Sequence, residues 1–224
     1  MYWILFIAIA VVSYLVQNNV KSKFERYSQE PIRYTGAQVA QMMLNSFGIH
    51  DVKIERVAGT LTDHYDPSSK TLRLSEPVYD ACNVAAAAVA AHECGHAVQH
   101  ASAYAWLSLR STLVPVVQFS SQWCQWVLLG GIALLAIVHN PLVLMIGIAL
   151  FAMTTLFSFI TLPVEINASS RALAWLDKSG ITSYQTHQDA KEALKAAAYT
   201  YVVAALSSLA TLLYYISMIT GRRD

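Results

Sequence analysis

Charge is scarce in this chain. Only 13% of its 224 residues are Asp, Glu, Lys or Arg, about half the share that a soluble domain carries. With 55% hydrophobic residues and a mean hydropathy of +0.41, that shortage excludes a disordered chain and argues against an ordinary soluble domain. Glycine (9) and proline (6) are few, so collagen-like and low-complexity chains are excluded. Neither sign of charge dominates: 15 basic residues face 14 acidic ones, and no nucleic-acid partner is expected. The three cysteines, Cys82, Cys94 and Cys124, have no CxxC spacing. They suggest neither a disulfide framework nor a metal site built of cysteine.

What is abundant is apolar sequence, concentrated in four stretches. Tyr2 to Val16 is broken only by Ser13 and is slightly short of the roughly 20 residues that cross a bilayer. No Lys or Arg precedes it and no small-x-small site follows, so a retained anchor is expected instead of a cleaved signal. Trp123 to Val138 is the second stretch and Pro141 to Leu162 the third. Only His139, Asn140 and the proline separate them, a spacing that reads as a tight turn between two spanning helices. The fourth runs from Tyr199 to Ile219. The pattern predicts a multi-pass membrane protein whose surroundings are the lipid bilayer.

Two polar regions, 19–105 and 163–198, lie between these spans. Four crossings place both on the same side. Lys21, Lys23 and Arg26 crowd the end of the first span, so the excess of positive charge on cytoplasmic loops assigns both regions to the cytoplasm. Arg222 and Arg223 at the C-terminus pull the other way. The organisation expected is an anchor (1–18), a region with its own small fold (19–110), an apolar segment with a transmembrane hairpin (111–162), a polar connection (163–198) and a last span with tail (199–224).

The polar region reads as α+β, mostly α. Thr35 to Phe47 carries a helical stripe of Ala37, Val39, Ala40, Met43 and Leu44. Asp51 to Val57 alternates like a strand. Leu61 to Leu74 reads as a hairpin about the turn-forming Asp66-Pro67-Ser68-Ser69. A long alanine-rich helix is expected from Val78 to about Tyr104.

That helix contains His92-Glu93-Cys94-Gly95-His96, an HExxH motif. Residues four apart stack on one helical face, so two imidazoles can grip one zinc while the glutamate between them reaches a water on the metal. Zinc would lower the pKa of that water, and Glu93 would act as general base. His100 continues the same face, but a straight helix carries it about 6 Å beyond His96, so it is not expected to be a ligand. The metzincin continuation HExxHxxGxxH is absent. A catalytic zinc needs a third protein ligand, and Glu165, at the start of a helix expected after the third span, is the best candidate. Parity supports it: two spans lie between His96 and Glu165, so the chain leaves and returns to the same side.

These residues together resemble a known family. The HExxH on an alanine-rich helix, the preceding Leu61-Thr62-Asp63-His64-Tyr65-Asp66-Pro67, the apolar hairpin, and Leu162-Pro163-Val164-Glu165 followed by Ala168-Ser169 and Arg171-Ala172-Leu173 are similar to the YugP-type membrane zinc metallopeptidases of bacteria. The resemblance covers nearly the whole chain. It implies a zincin-like fold and a protease of the bacterial inner membrane with one catalytic Zn2+. In plan the chain is also similar to the prenyl-protein and heat-shock membrane proteases, gluzincins with HExxH and a distant glutamate. Those relatives orient a histidine with an Asp four residues after the glutamate. Here that position is Ser169, with Asn167 or Arg171 as alternatives.

In zincins an extended edge strand binds the peptide, a role that Lys70 to Ser75 or Leu61 to Tyr65 would fill. An oxyanion donor is also expected, with His64, Arg171, His187 and Tyr201 as candidates. The reading reached is a membrane zinc endopeptidase with His92, His96 and Glu165 on the metal, acting on a peptide or a membrane-protein substrate. Two alternatives stay open: an intramembrane, site-2-type metalloprotease, and a non-catalytic zinc-stabilised membrane scaffold or chaperone partner. Substrate identity and oligomeric state are not specified.

Overall fold

The computed structural model describes residues 2–221; Arg222 and Arg223 lie outside them. The architecture is α+β and mostly helical. Its elements are α1 (Tyr2–Tyr27), α2 (Gly36–Ser46), β1 (Lys53–Val57), β2 (His64–Asp66), β3 (Thr71–Ser75), α3 (Glu76–Tyr79), α4 (Val84–Ala101), α5 (Ala105–Val138), α6 (Leu142–Ser179) and α7 (Tyr184–Thr220). Two compact units are present. One comprises the chain up to Leu107 together with Pro163–Thr200, the other Ser108–Leu162 together with the chain from Tyr201 on.

In the first unit, α2 begins where the sequence signals it. Thr35 accepts from the Gln38 amide while the Gln38 side chain accepts from the Thr35 amide, a complete capping box. Its Val39, Ala40, Met43 and Leu44 are fully buried. They pack with Leu72 and Leu74 of β3 and with the alanines of α4 in one core. Each fully buried leucine contributes on the order of 2–3 kcal/mol. Short side chains around most of α4 let its neighbours approach closely, so the helix is buried nearly all round.

The expected helix from Val78 to Tyr104 is interrupted. Asn83 takes an extended conformation and its side chain accepts from the Ala86 amide, so α4 starts afresh there and α3 stands as a separate turn. The hairpin is present between β2 and β3, which pair antiparallel with Tyr65 opposite Leu72. β3 also pairs parallel with β1, Ile54 opposite Leu72, so the sheet order is β1-β3-β2. Lys70 to Ser75 therefore cannot be the free edge: β3 is the central strand, hydrogen-bonded on both sides. Of the hairpin's two arms, β2 is the edge.

Helices α1, α5, α6 and α7 are long and apolar enough to cross a membrane, and the protein is membrane-associated. All four run past the predicted stretches because α-helix continues beyond the apolar part. The 38 residues of α6 are well beyond the roughly 20 that cross a hydrocarbon core. Glu165 accordingly stands within α6, not at the start of a new helix, because the helix runs through Pro163 unbroken.

In the second unit the turn at His139-Asn140-Pro141 is tight, with Asn140 Oδ1 accepting from the Leu142 amide at 2.9 Å. The two arms cross closely at Gly131, where a Cβ would lie 2.5 Å from the Leu144 nitrogen. Small residues give this kind of contact between helices in a bilayer.

Candidate active site

Two helices converge on one point in the first unit, α4 and the part of α6 from Pro163 on. α4 presents His92 and His96 one turn apart, and α6 brings Glu165 against them. Glu165 Oε2 lies 3.3 Å from His92 Nε2 and 3.6 Å from His96 Nε2. The three side chains could hold a metal ion, one ligand atom from each lying within 4.8 Å of the others. Donors about 2.0–2.1 Å from a tetrahedral zinc stand about 3.3 Å apart, so spacing and donor chemistry both fit that ion.

Close approach of α4 and α6 makes the convergence possible. A Cβ on Gly95 would lie 2.6 Å from the Ala168 carbonyl oxygen, so no other residue fits between the two helices there. Cys94, the other intervening residue, is fully buried and donates to the Ala40 carbonyl. Burial pushes its thiol well above the ordinary value, which keeps it a neutral core group and not a nucleophile.

Each imidazole is oriented through its other nitrogen. His92 Nδ1 lies 3.0 Å from Ser169 Oγ, so Ser169 itself fills the position expected of an orienting partner. His96 Nδ1 lies 3.0 Å from Gln99 Oε1. Both contacts leave Nε2 turned towards Glu165. Burial alone would lower the pKa of His96, but Glu165 and then Glu93 override it and hold the ring above its ordinary value. The field that favours a proton there also favours a divalent cation.

Glu93 points to the edge strand. The Tyr65 amide donates to its Oε2 at 3.1 Å, which fixes one carboxylate oxygen and leaves Oε1 free to take a proton. The Tyr65 hydroxyl meets His100 Nδ1 at 2.9 Å. His100 is therefore not a ligand but a surface partner of β2. Burial, with Asp51 and Asp66 nearby, raises the Tyr65 phenol to about 12, so it stays protonated.

The four oxyanion candidates separate. His64, exposed on β2 beside Tyr65, bonds the Thr62 carbonyl. Arg171 enters the network of the site, its Nε donating to Asn167 Oδ1. His187, in the first turn of α7, has a buried ring Nδ1 with no hydrogen-bond partner among the described residues. Tyr201 belongs to the other compact unit. Sequence reasoning missed three residues: Gln99, Gly95 and Tyr65. Gln99 was discoverable, since three residues after His96 and seven after His92 puts it on their face. Tyr65 acts through its backbone and left no side-chain signal.

Residues 2–220 match the family described as "Putative neutral zinc metallopeptidase". The chain is 42% identical over 224 residues to "Putative membrane protease YugP" of Bacillus subtilis (strain 168), covering 98% of each. No solved structure matches the chain.

Proposed function

The chain belongs to this family of neutral zinc metallopeptidases, and we propose that it is a membrane-anchored endopeptidase of gluzincin type. One zinc is held by His92, His96 and Glu165, and Glu93 is the general base. The observation that carries the reading is the meeting of Glu165 Oε2 with both Nε2 atoms. Zinc bound there supplies Lewis acidity, polarising a scissile carbonyl and acidifying a water.

The protein's own groups do the rest. Ser169 and Gln99 hold the two rings with Nδ1 protonated. Glu93 Oε1 takes a proton from the attacking water and returns it to the leaving amine, so the carboxylate is restored at the end of each turnover. The Tyr65 amide keeps Oε2 in place throughout. Edge strand β2, next to Glu93, suits an extended polypeptide laid alongside it. Arg171 is the favoured stabiliser of developing negative charge among the candidates, because Asn167 ties it to the site.

Substrates are membrane proteins or membrane-proximal segments, and the site faces the cytoplasm, as the basic cluster Lys21, Lys23 and Arg26 favours. An extramembrane site fits better than intramembrane cleavage, because α4 is not among the membrane-crossing helices found in the described residues. Three candidate ligands with a glutamate base beside them favour an open catalytic site over a closed structural one.

The test is Glu93→Gln in the full-length protein. Zinc content should be unchanged, while cleavage of a model membrane substrate falls at least about 100-fold. Undiminished cleavage would end the proposal.

A further inference from the structure

Gln99 lies outside the HExxH motif, yet no polar side chain of α4 is more deeply enclosed: it is fully buried. Its amide is used at both ends. Oε1 faces His96 Nδ1 at 3.0 Å. Nε2 donates to the Val164 carbonyl at 2.8 Å and to Asn167 Oδ1 at 3.0 Å. Asn167 Oδ1 also accepts from Arg171 Nε at 2.8 Å.

The orientation of this amide is forced. Reversed, it would set its oxygen against the Val164 carbonyl and the Asn167 oxygen, three acceptors with no proton between them. With Oε1 towards the ring, Nδ1 carries the proton, so in the neutral imidazole Nε2 presents the lone pair. Val164 is the residue before Glu165, so the same amide grips α6 at the backbone step that delivers the third ligand. One side chain therefore sets both the tautomer of His96 and the register of α6 against α4.

We propose that Gln99 is a positioning residue for the metal centre, joining His96 to the helix that carries Glu165. The inference rests on the metal-binding part of the proposed function and not on the identity of any substrate. Removing such an orienting partner characteristically lowers metal affinity about 10- to 100-fold.

The experiment uses full-length protein in detergent, with zinc affinity measured by chelator competition and the visible spectrum recorded with Co2+ in place of zinc. Gln99→Met keeps length and apolar volume but supplies no acceptor. It should lose about 10- to 100-fold in zinc affinity and change the cobalt spectrum, whereas Gln41→Met, on the exposed face of α2, should hold wild-type affinity. Gln99→Glu keeps an acceptor towards Nδ1 but sets its second oxygen against the Val164 carbonyl and Asn167 Oδ1, so its zinc affinity should also fall, about 10-fold or more. A folded Gln99→Met protein with wild-type affinity and spectrum would overturn the proposal. If Gln99→Met does not fold, Gln99→Leu decides in the same two assays: a loss of about 10- to 100-fold in zinc affinity with a changed cobalt spectrum supports the role, and wild-type affinity and spectrum refute it. Failure of the wild-type protein to bind zinc would instead refute the metal site itself, so the two failures are distinguishable.

Discussion

Gly95 faces Ala168 so closely that a methyl group on the glycine would stand 2.6 Å from the alanine's carbonyl oxygen. Gly95 sits between His92 and His96, the proposed metal ligands, and Ala168 lies three residues beyond Glu165. The contact is thus the hinge pin of the site: it sets how near the ligands of α4 and α6 can come.

Gly95→Ala must push α4 and α6 apart, because the obstacle is backbone and cannot rotate away. Overpacking of this kind costs about 1–3 kcal/mol, and the ligands would separate as the helices do. The expected result is a lower melting temperature together with reduced zinc content. A variant that keeps full zinc occupancy would show that the helix separation does not govern the site.

Ser169→Ala removes the acceptor 3.0 Å from His92 Nδ1 and leaves the ligand set intact. Zinc affinity should fall about 10-fold, at the low end for a lost orienting partner, with little change in stability because the hydroxyl is only half-buried. Chelator competition measures it; equal affinity would mean that packing alone fixes the ring.

Glu165 is nearly fully buried and its carboxylate needs cationic company. Zinc should therefore stabilise the fold by mass action, by about 2.7 kcal/mol at a free concentration 100 times the dissociation constant. Thermal melts with and without chelator should differ in the wild-type protein and coincide in Glu165→Gln. A chelator-sensitive melt in that variant would point to a different third ligand.

The turn between β2 and β3 has its own pH dependence. Asp66 accepts from the Ser68 amide at 2.9 Å and from the Ser68 and Ser69 hydroxyls at 2.6 Å. With Arg73 also contributing, these bonds hold its carboxyl well below the usual carboxylate range, the Ser68 hydroxyl most of all. A carboxyl whose folded pKa is depressed stabilises fully above its unfolded value, about 3.9, and loses that contribution as pH falls through the folded value. The turn should therefore be fully closed at neutral pH and loosen only in strong acid. Hydrogen–deuterium exchange over 66–70 should be faster in Asp66→Asn than in wild type at pH 7, the difference shrinking in acid. Matching exchange at pH 7 would rule out the carboxylate as the turn's fastener.

Much of this protein is written in local pattern. Apolar runs are set by composition along a contiguous segment, so the four membrane helices are legible without any partner. The HExxH spacing is legible because helical periodicity alone puts His92 and His96 on one face. The capping box at Thr35 and the turn at Asp66 are likewise settled within a few residues. Glu165 needed one long-range argument, that an even number of crossings returns the chain to the same side.

Tertiary structure decided what depends on contacts between distant segments. Ser169 as the partner of His92, the hold of Gln99 on the Val164 carbonyl, and the backbone amide of Tyr65 on Glu93 all join residues separated by 28 to 77 positions. Strand order belongs here too, since only pairing with β1 reveals β3 as the centre and β2 as the edge. Hydrogen bonds and close packing act over a few ångströms, and no local pattern records which remote atoms the fold brings within that reach.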